Sequence, residues 1–161
     1  MDEDTLDLQS VPAVIGDAFE QVWLYDRNSE TDTVKIVSTG DFTETDEELQ
    51  GVEMDRNLTQ TREFPYNWKH VKGTEPFVME VCCTSLVMVN KDSGAPDAGC
   101  AEVFVDGEKV LFADPRVNGW THCNPLICFQ GRERRTWRVE VRMQPGDEDR
   151  EFTILGFGVV S

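Results

Sequence analysis

The stretch from Cys100 to Ala113, CAEVFVDGEKVLFA, constrains the chain more than any other. Two runs flank Asp106-Gly107, and in each of them apolar and polar residues alternate. Asp-Gly between alternating runs is the strongest short signal of a β-hairpin, because both residues tolerate the positive φ of a tight turn. Other segments read the same way. Pro76 to Asn90 (PFVMEVCCTSLVMVN) holds two apolar runs broken at Thr84-Ser85, and the expectation is buried strands at 77–83 and 86–90. Thr136 to Met143 alternates, with Trp137, Val139, Val141 and Met143 on one face. Phe152 to Val160 (FTILGFGVV) closes the chain as a strand, its Gly156 and Gly158 marking a bulge or a close backbone approach. Weaker strand runs lie at Phe19–Tyr25 and Thr33–Ser38.

Helical periodicity is absent except for a short turn expected at Asp46–Leu49, where Thr45 and Glu48 have capping-box spacing. Short strands separated by turn signals predict an all-β fold, an antiparallel two-sheet sandwich or a barrel. The 161 residues amount to one domain. We read residues 1–15 as a loose acidic N-terminal arm and 16–161 as a single β-sandwich module.

Charge narrows the function. Thirty-one acidic residues face fifteen basic ones, a formal net charge of −16. Such a field repels nucleic acid and anionic membrane surfaces, and neither is expected as a partner. A neutral polysaccharide is indifferent to it. No apolar run is long enough for a membrane helix. The start, Met1-Asp2-Glu3-Asp4, lacks the basic then apolar pattern of a secretory signal, which leaves a cytoplasmic protein or a piece of a longer precursor.

Catalysis is not expected. Only His70 and His122 could serve as imidazole bases, no Ser sits in a GxSxG elbow, and Cys123 beside His122 on a strand would point away from it. The acids lie mostly in turns. The clusters Asp41/Glu44/Asp46 and Asp147/Glu148/Asp149 could hold a structural calcium, and no other cofactor is expected. Cys82, Cys83, Cys100, Cys123 and Cys128 are odd in number and lack zinc-site spacing. They read as small buried hydrophobes, with one disulfide among Cys100, Cys123 and Cys128 left open.

The tryptophans divide. Trp137 is in phase with its strand and Trp23 sits in a strand run, so both belong to the core. Trp68 and Trp120 lie in loop-like segments, FPYNWKH (64–70) and DPRVNGWTHCNP (114–125). Tyr66, Asn67, His70, Arg116, Asn118 and His122 stand around them, with Lys69 and Asn124. Sugar binding needs this mixture, an indole for the C–H face of a pyranose and amides or cations for its hydroxyls. The expected stacking surface is Trp120, helped by Trp68 and Tyr66. The same two tryptophans could equally cap the ends of a sandwich.

These residues carry a resemblance. GDFTETDEELQGV (40–52), FPYNWKH (64–70), LVMVNKDSG (86–94), AEVFVDGEKV (101–110), NGW (118–120) with Asn124-Pro125, and FTILGFG (152–158) occur in an order that resembles the β-sandwich domain appended to bacterial SGNH-type (GDSL-like) esterases, especially those of cellulose-degrading gut Clostridia. The likeness covers roughly 38–161. It implies a jelly-roll, carbohydrate-binding-module-like sandwich, separate from the catalytic Ser, Asp and His of such enzymes. It further implies an extracellular parent polypeptide that degrades plant polysaccharide, or a scaffold of the cellulosome kind, and a β-linked glucan or hemicellulose as ligand. The alternative it leaves is a structural domain packed against the esterase. Cys82, Cys83, Cys123 and Cys128 depart from the family pattern.

Overall fold

A computed structural model describes residues 16–48 and 63–161. Ten strands follow in order: β1 Trp23–Tyr25, β2 Val34–Ser38, β3 Trp68–His70, β4 Phe77–Cys83, β5 Ser85–Asp92, β6 Ala101–Val105, β7 Glu108–Ala113, β8 His122–Phe129, β9 Arg135–Met143 and β10 Phe152–Val160. One sheet has the order β1-β10-β5-β8, with β3 also on β10; the other runs β2-β4-β9-β6-β7. Every strand pair is antiparallel. The fold is the expected two-sheet sandwich.

Local chemistry explains the strongest elements. Asp106 and Gly107 both take positive φ, 50° and 83°, and link β6 to β7 by the two-residue turn their sequence favours. β9 alternates as its sequence does, with Trp137, Val139, Val141 and Met143 buried. On β10 the register shifts between Ile154 and Gly156. A Cβ at Gly156 would meet the Tyr25 carbonyl at 2.9 Å, so the missing side chain lets β1 lie close.

Between the sheets Phe77 and Phe157 stack 5.8 Å apart, and Trp68 packs edge-on to Phe77 at 5.1 Å. At the other end Trp137 packs on Phe129 and donates from Nε1 to the Cys83 carbonyl at 3.1 Å. Trp23 packs against this core.

Several expectations need correction. The run from Phe19 is a strand only over Trp23–Tyr25. No helical turn forms over 46–48, and Leu49 lies outside the described residues. There the Asp46 carboxylate accepts from the Glu48 backbone N–H, and the Thr45 hydroxyl accepts from Arg27 instead of capping. The segments around Trp68 and Trp120 are not purely loops, since each contributes a strand. β8 is an edge strand, which is where a proline such as Pro125 can be accommodated. All five cysteines are free thiols, so no disulfide joins Cys100, Cys123 or Cys128. Burial pushes the Cys83 and Cys128 thiols up to about 12, which leaves them inert. The arm at 1–15 lies outside the described residues.

Candidate functional site

The segment Asp114–Thr121 crosses from β7 to β8 and carries Trp120 outward. Two contacts fix it. Ser93 N–H donates to the Pro115 carbonyl at 2.7 Å. The Gly119 carbonyl lies so near Gly94 that any side chain at 94 would collide with it. Arg116 braces the base of the segment, donating to Asp114 at 3.0 Å and to Cys100 Sγ at 3.2 Å.

At the tip Trp120 is 55% exposed. One face of its indole stacks on His122, with centroids 4.2 Å apart and planes 22° from parallel. The other face is left open. Beneath the pair sits Asp92, fully buried at the end of β5. Asn118 Nδ2 donates to it at 2.7 Å and Asn124 Nδ2 at 3.2 Å, while His122 Nε2 lies 3.3 Å away. His122 Nδ1 lies 3.3 Å from the Trp120 carbonyl. A buried carboxylate normally carries a desolvation cost, and here the amides and imidazole offset it. The result is a pinned aromatic platform, since the ring's supporting residues are themselves held.

The structure therefore brings Asn118, Trp120 and His122 together, with Asn124 beside them and Arg116 behind. It separates the others. Trp68 is 3% exposed, and Asn67 and His70 are fully buried. The placement of Trp68 on an open stacking surface is thus overturned: β3 pairs with β10 and turns the indole inward between Tyr25 and Phe77. Asn67 holds backbone, donating to the Phe64 and Asp46 carbonyls at 2.9 and 3.1 Å and accepting from Asp46 N–H at 2.8 Å. His70 lies between the Arg150 and Gly73 carbonyls at 2.8 and 2.9 Å, out of reach of any solvent-borne substrate. Tyr66 is exposed, and its carbonyl accepts from Arg27 N–H at 3.1 Å.

Asp92 was not singled out in the sequence. It and Asn124 are cross-strand neighbours of His122 and Asn90, a relation visible only once β5 and β8 pair. Asp92 and His122 resemble two members of a hydrolytic triad, yet among the described residues no Ser, Thr or Cys side chain hydrogen-bonds either histidine. Asp41 accepts from Glu75 N–H, Asp147 from Cys100 N–H and Glu148 from Gly146 N–H, all at 2.8 Å. Among the described residues no group of three or more His, Cys, Asp or Glu is disposed to hold a metal.

No protein-family model matches the chain, and no curated protein matches it in sequence. Solved structures do. A two-domain esterase active on acetylated mannans superposes with a TM-score of 0.64 at 16% identity, over 100% of this chain and 42% of that one. The same kind of esterase crystallised with mannopentaose gives 0.60 at 17% identity, over 90% and 38%. A family 35 carbohydrate-binding module from an environmental isolate gives 0.54 at 14% identity, over 86% and 93%. The fold is that of a carbohydrate-binding-module β-sandwich. This chain spans about two fifths of the length of the esterases it resembles.

Proposed function

We propose that the chain is a non-catalytic carbohydrate-binding module of a larger secreted enzyme, and that it holds a neutral, β-linked plant glycan against the open face of Trp120. The observation that carries this reading is the exposed indole backed by His122 and anchored through Asn118 and Asp92. A rigid aromatic loses little entropy on stacking, so one platform ring with amides at its edge gives useful affinity. Because the mannopentaose complex belongs to a protein of similar fold, β-mannan joins β-glucan and xylan as a first candidate.

Affinity electrophoresis on immobilised mannan, β-glucan and xylan tests the reading. Retention on at least one of them is expected, nearly unchanged between low and ~0.5 M salt because the ligand is uncharged. Failure of all three to retain the folded chain would overturn it.

A second reading has its own observation. The outer face of the first sheet is apolar: Val22, Leu24 and Ile127 are 48%, 46% and 52% exposed around a trough of about 400 Å³ lined by Trp23, Val87, Val89 and Pro125. Large exposed apolar patches mark interfaces. A domain packed through this face on an SGNH esterase domain would bind that domain when the two are mixed, and Leu24→Lys would abolish the binding. The glycan reading expects Leu24→Lys to leave retention unchanged.

A further inference from the structure

Beside the platform, on the opposite face of β5 from Asp92, lies a second feature. A cavity of about 220 Å³ opens there, lined by Lys91, Asp46, Ser93, Asp97, Thr121 and Thr153 among others. Thr121 directly follows Trp120, so the cavity and the platform share one wall.

Its floor is a nearly buried ion pair. Lys91 Nζ donates to Asp46 Oδ2 at 2.8 Å, with side chains 13% and 2% exposed. Thr153 donates to the same oxygen at 2.8 Å. Burial pushes the Asp46 carboxyl up, but the hydrogen bonds from Lys91 and Thr153 outweigh it and the net shift is downward, so the pair is charged. An ammonium has three N–H groups and only one is committed to Asp46. Asp97 is exposed at the wall and its carboxylate makes no hydrogen bond or ion pair among the described residues. Ser93 and Thr121 add hydroxyls.

The cavity thus presents free donors on Lys91, a free acceptor on Asp97, and hydroxyls that serve as either. Each sugar hydroxyl donates one proton and accepts at two lone pairs, so a pair of vicinal hydroxyls needs both kinds of partner side by side. A simple anion would meet Asp46, Asp97 and Glu151. A simple cation would meet the Lys91 ammonium.

We infer that this cavity is a second saccharide subsite, which receives the vicinal hydroxyls of a neutral pyranose one or more units along the chain that Trp120 holds. It rests on the platform reading given above, and it adds a selection: uronic acids are rejected, because their carboxylate would face the carboxylates of the wall.

Calorimetric titration with mannopentaose, cellopentaose, xylopentaose and the corresponding disaccharides tests it, using the parent, Asp97→Asn, Thr121→Val and Trp120→Ala. Both wall residues are accessible at the cavity, so the folded state should survive their replacement, and thermal melting checks it. For the pentasaccharide that binds, Asp97→Asn and Thr121→Val each lower affinity roughly 3- to 10-fold, the worth of one hydrogen bond. Affinity for the disaccharide stays as in the parent, and an oligogalacturonate does not bind. Pentasaccharide binding unchanged in both wall variants but lost in Trp120→Ala would overturn the subsite and leave the platform standing. A parent that binds none of the three pentasaccharides would overturn both.

Discussion

Two short segments of this chain look alike as sequence and end in opposite places. FPYNWKH and VNGWTHCNP each set a tryptophan among asparagine, histidine and proline. In the first, Trp68 is 3% exposed and Asn67 and His70 are fully buried. In the second, Trp120 is 55% exposed. The difference lies in what each backbone can pair with. β3 has β10 on one side and the bridge from Lys69 to Glu44 on the other, so its alternate side chains must go inward. Trp120 precedes β8, in a connection whose own backbone contacts run to β5's end and the Gly94 loop. Composition around a tryptophan does not tell which side of a sheet it will face; pairing does.

The sharpest way to break this comparison is truncation of the two indoles. Trp68→Ala should cost roughly 3–5 kcal/mol, like Trp137→Ala, because each leaves a core cavity. Trp120→Ala should cost clearly less, about 0.5–1.5 kcal/mol, because the exposed indole gives up only its stacking on His122. Chemical denaturation measures all three, and similar losses for Trp68 and Trp120 would contradict the assignment.

The asparagines extend it. Asn67→Ala strands two carbonyls and one N–H near Asp46, and about 1–3 kcal/mol should be lost. Asn118→Ala removes one partner of Asp92, which keeps Asn90, Asn124 and His122, so it should cost less stability than Asn67→Ala and weaken glycan retention instead. The reverse pattern would show that the tip is structural and the Asn67 segment functional.

Acid sharpens the contrast further. Asp46 belongs to the buried segment, and its carboxyl is held below the usual value near 3.8. A carboxyl with a depressed folded-state pKa contributes stability above its unfolded pKa, and that contribution is lost as pH falls through the folded value. Stability should therefore fall below about pH 4, and Asp46→Asn should flatten that decline while lowering stability at neutral pH. Melting curves from pH 3 to 7 decide it; an equally steep acid decline in the variant would refute the role given to the pair.

Much of the scaffold was legible because local chemistry and tertiary fold agree there. The Asp106-Gly107 hairpin, the alternation of 136–143, and the bounds of β4 and β10 follow from side-chain period and turn geometry. β3 and β8 were not legible: a three-residue strand shows no period, and Pro125 argues against a strand except at an edge. At the site, Asn118, Trp120 and His122 were readable as a polar–aromatic cluster. Asp92 was not, since an acid in a chain with thirty-one of them gives no signal until β8 lies beside β5. Lys91 and Asp46 are 45 residues apart and meet only through the fold.

The central claim, that the open face of Trp120 carries the ligand, is tested most directly by tryptophan fluorescence during glycan titration. Trp68 and Trp137 are buried and Trp23 lies at the separate apolar trough, so Trp120 is the indole that a ligand on the platform covers, and Trp120→Ala separates it from Trp23. Saturating mannan, β-glucan or xylan oligosaccharide should shift the parent's emission to shorter wavelength and shield it from acrylamide quenching. Trp120→Ala, with its fold intact, should show neither effect and no binding. A spectral response that persists in Trp120→Ala, or binding that is as tight without the indole, would contradict the account.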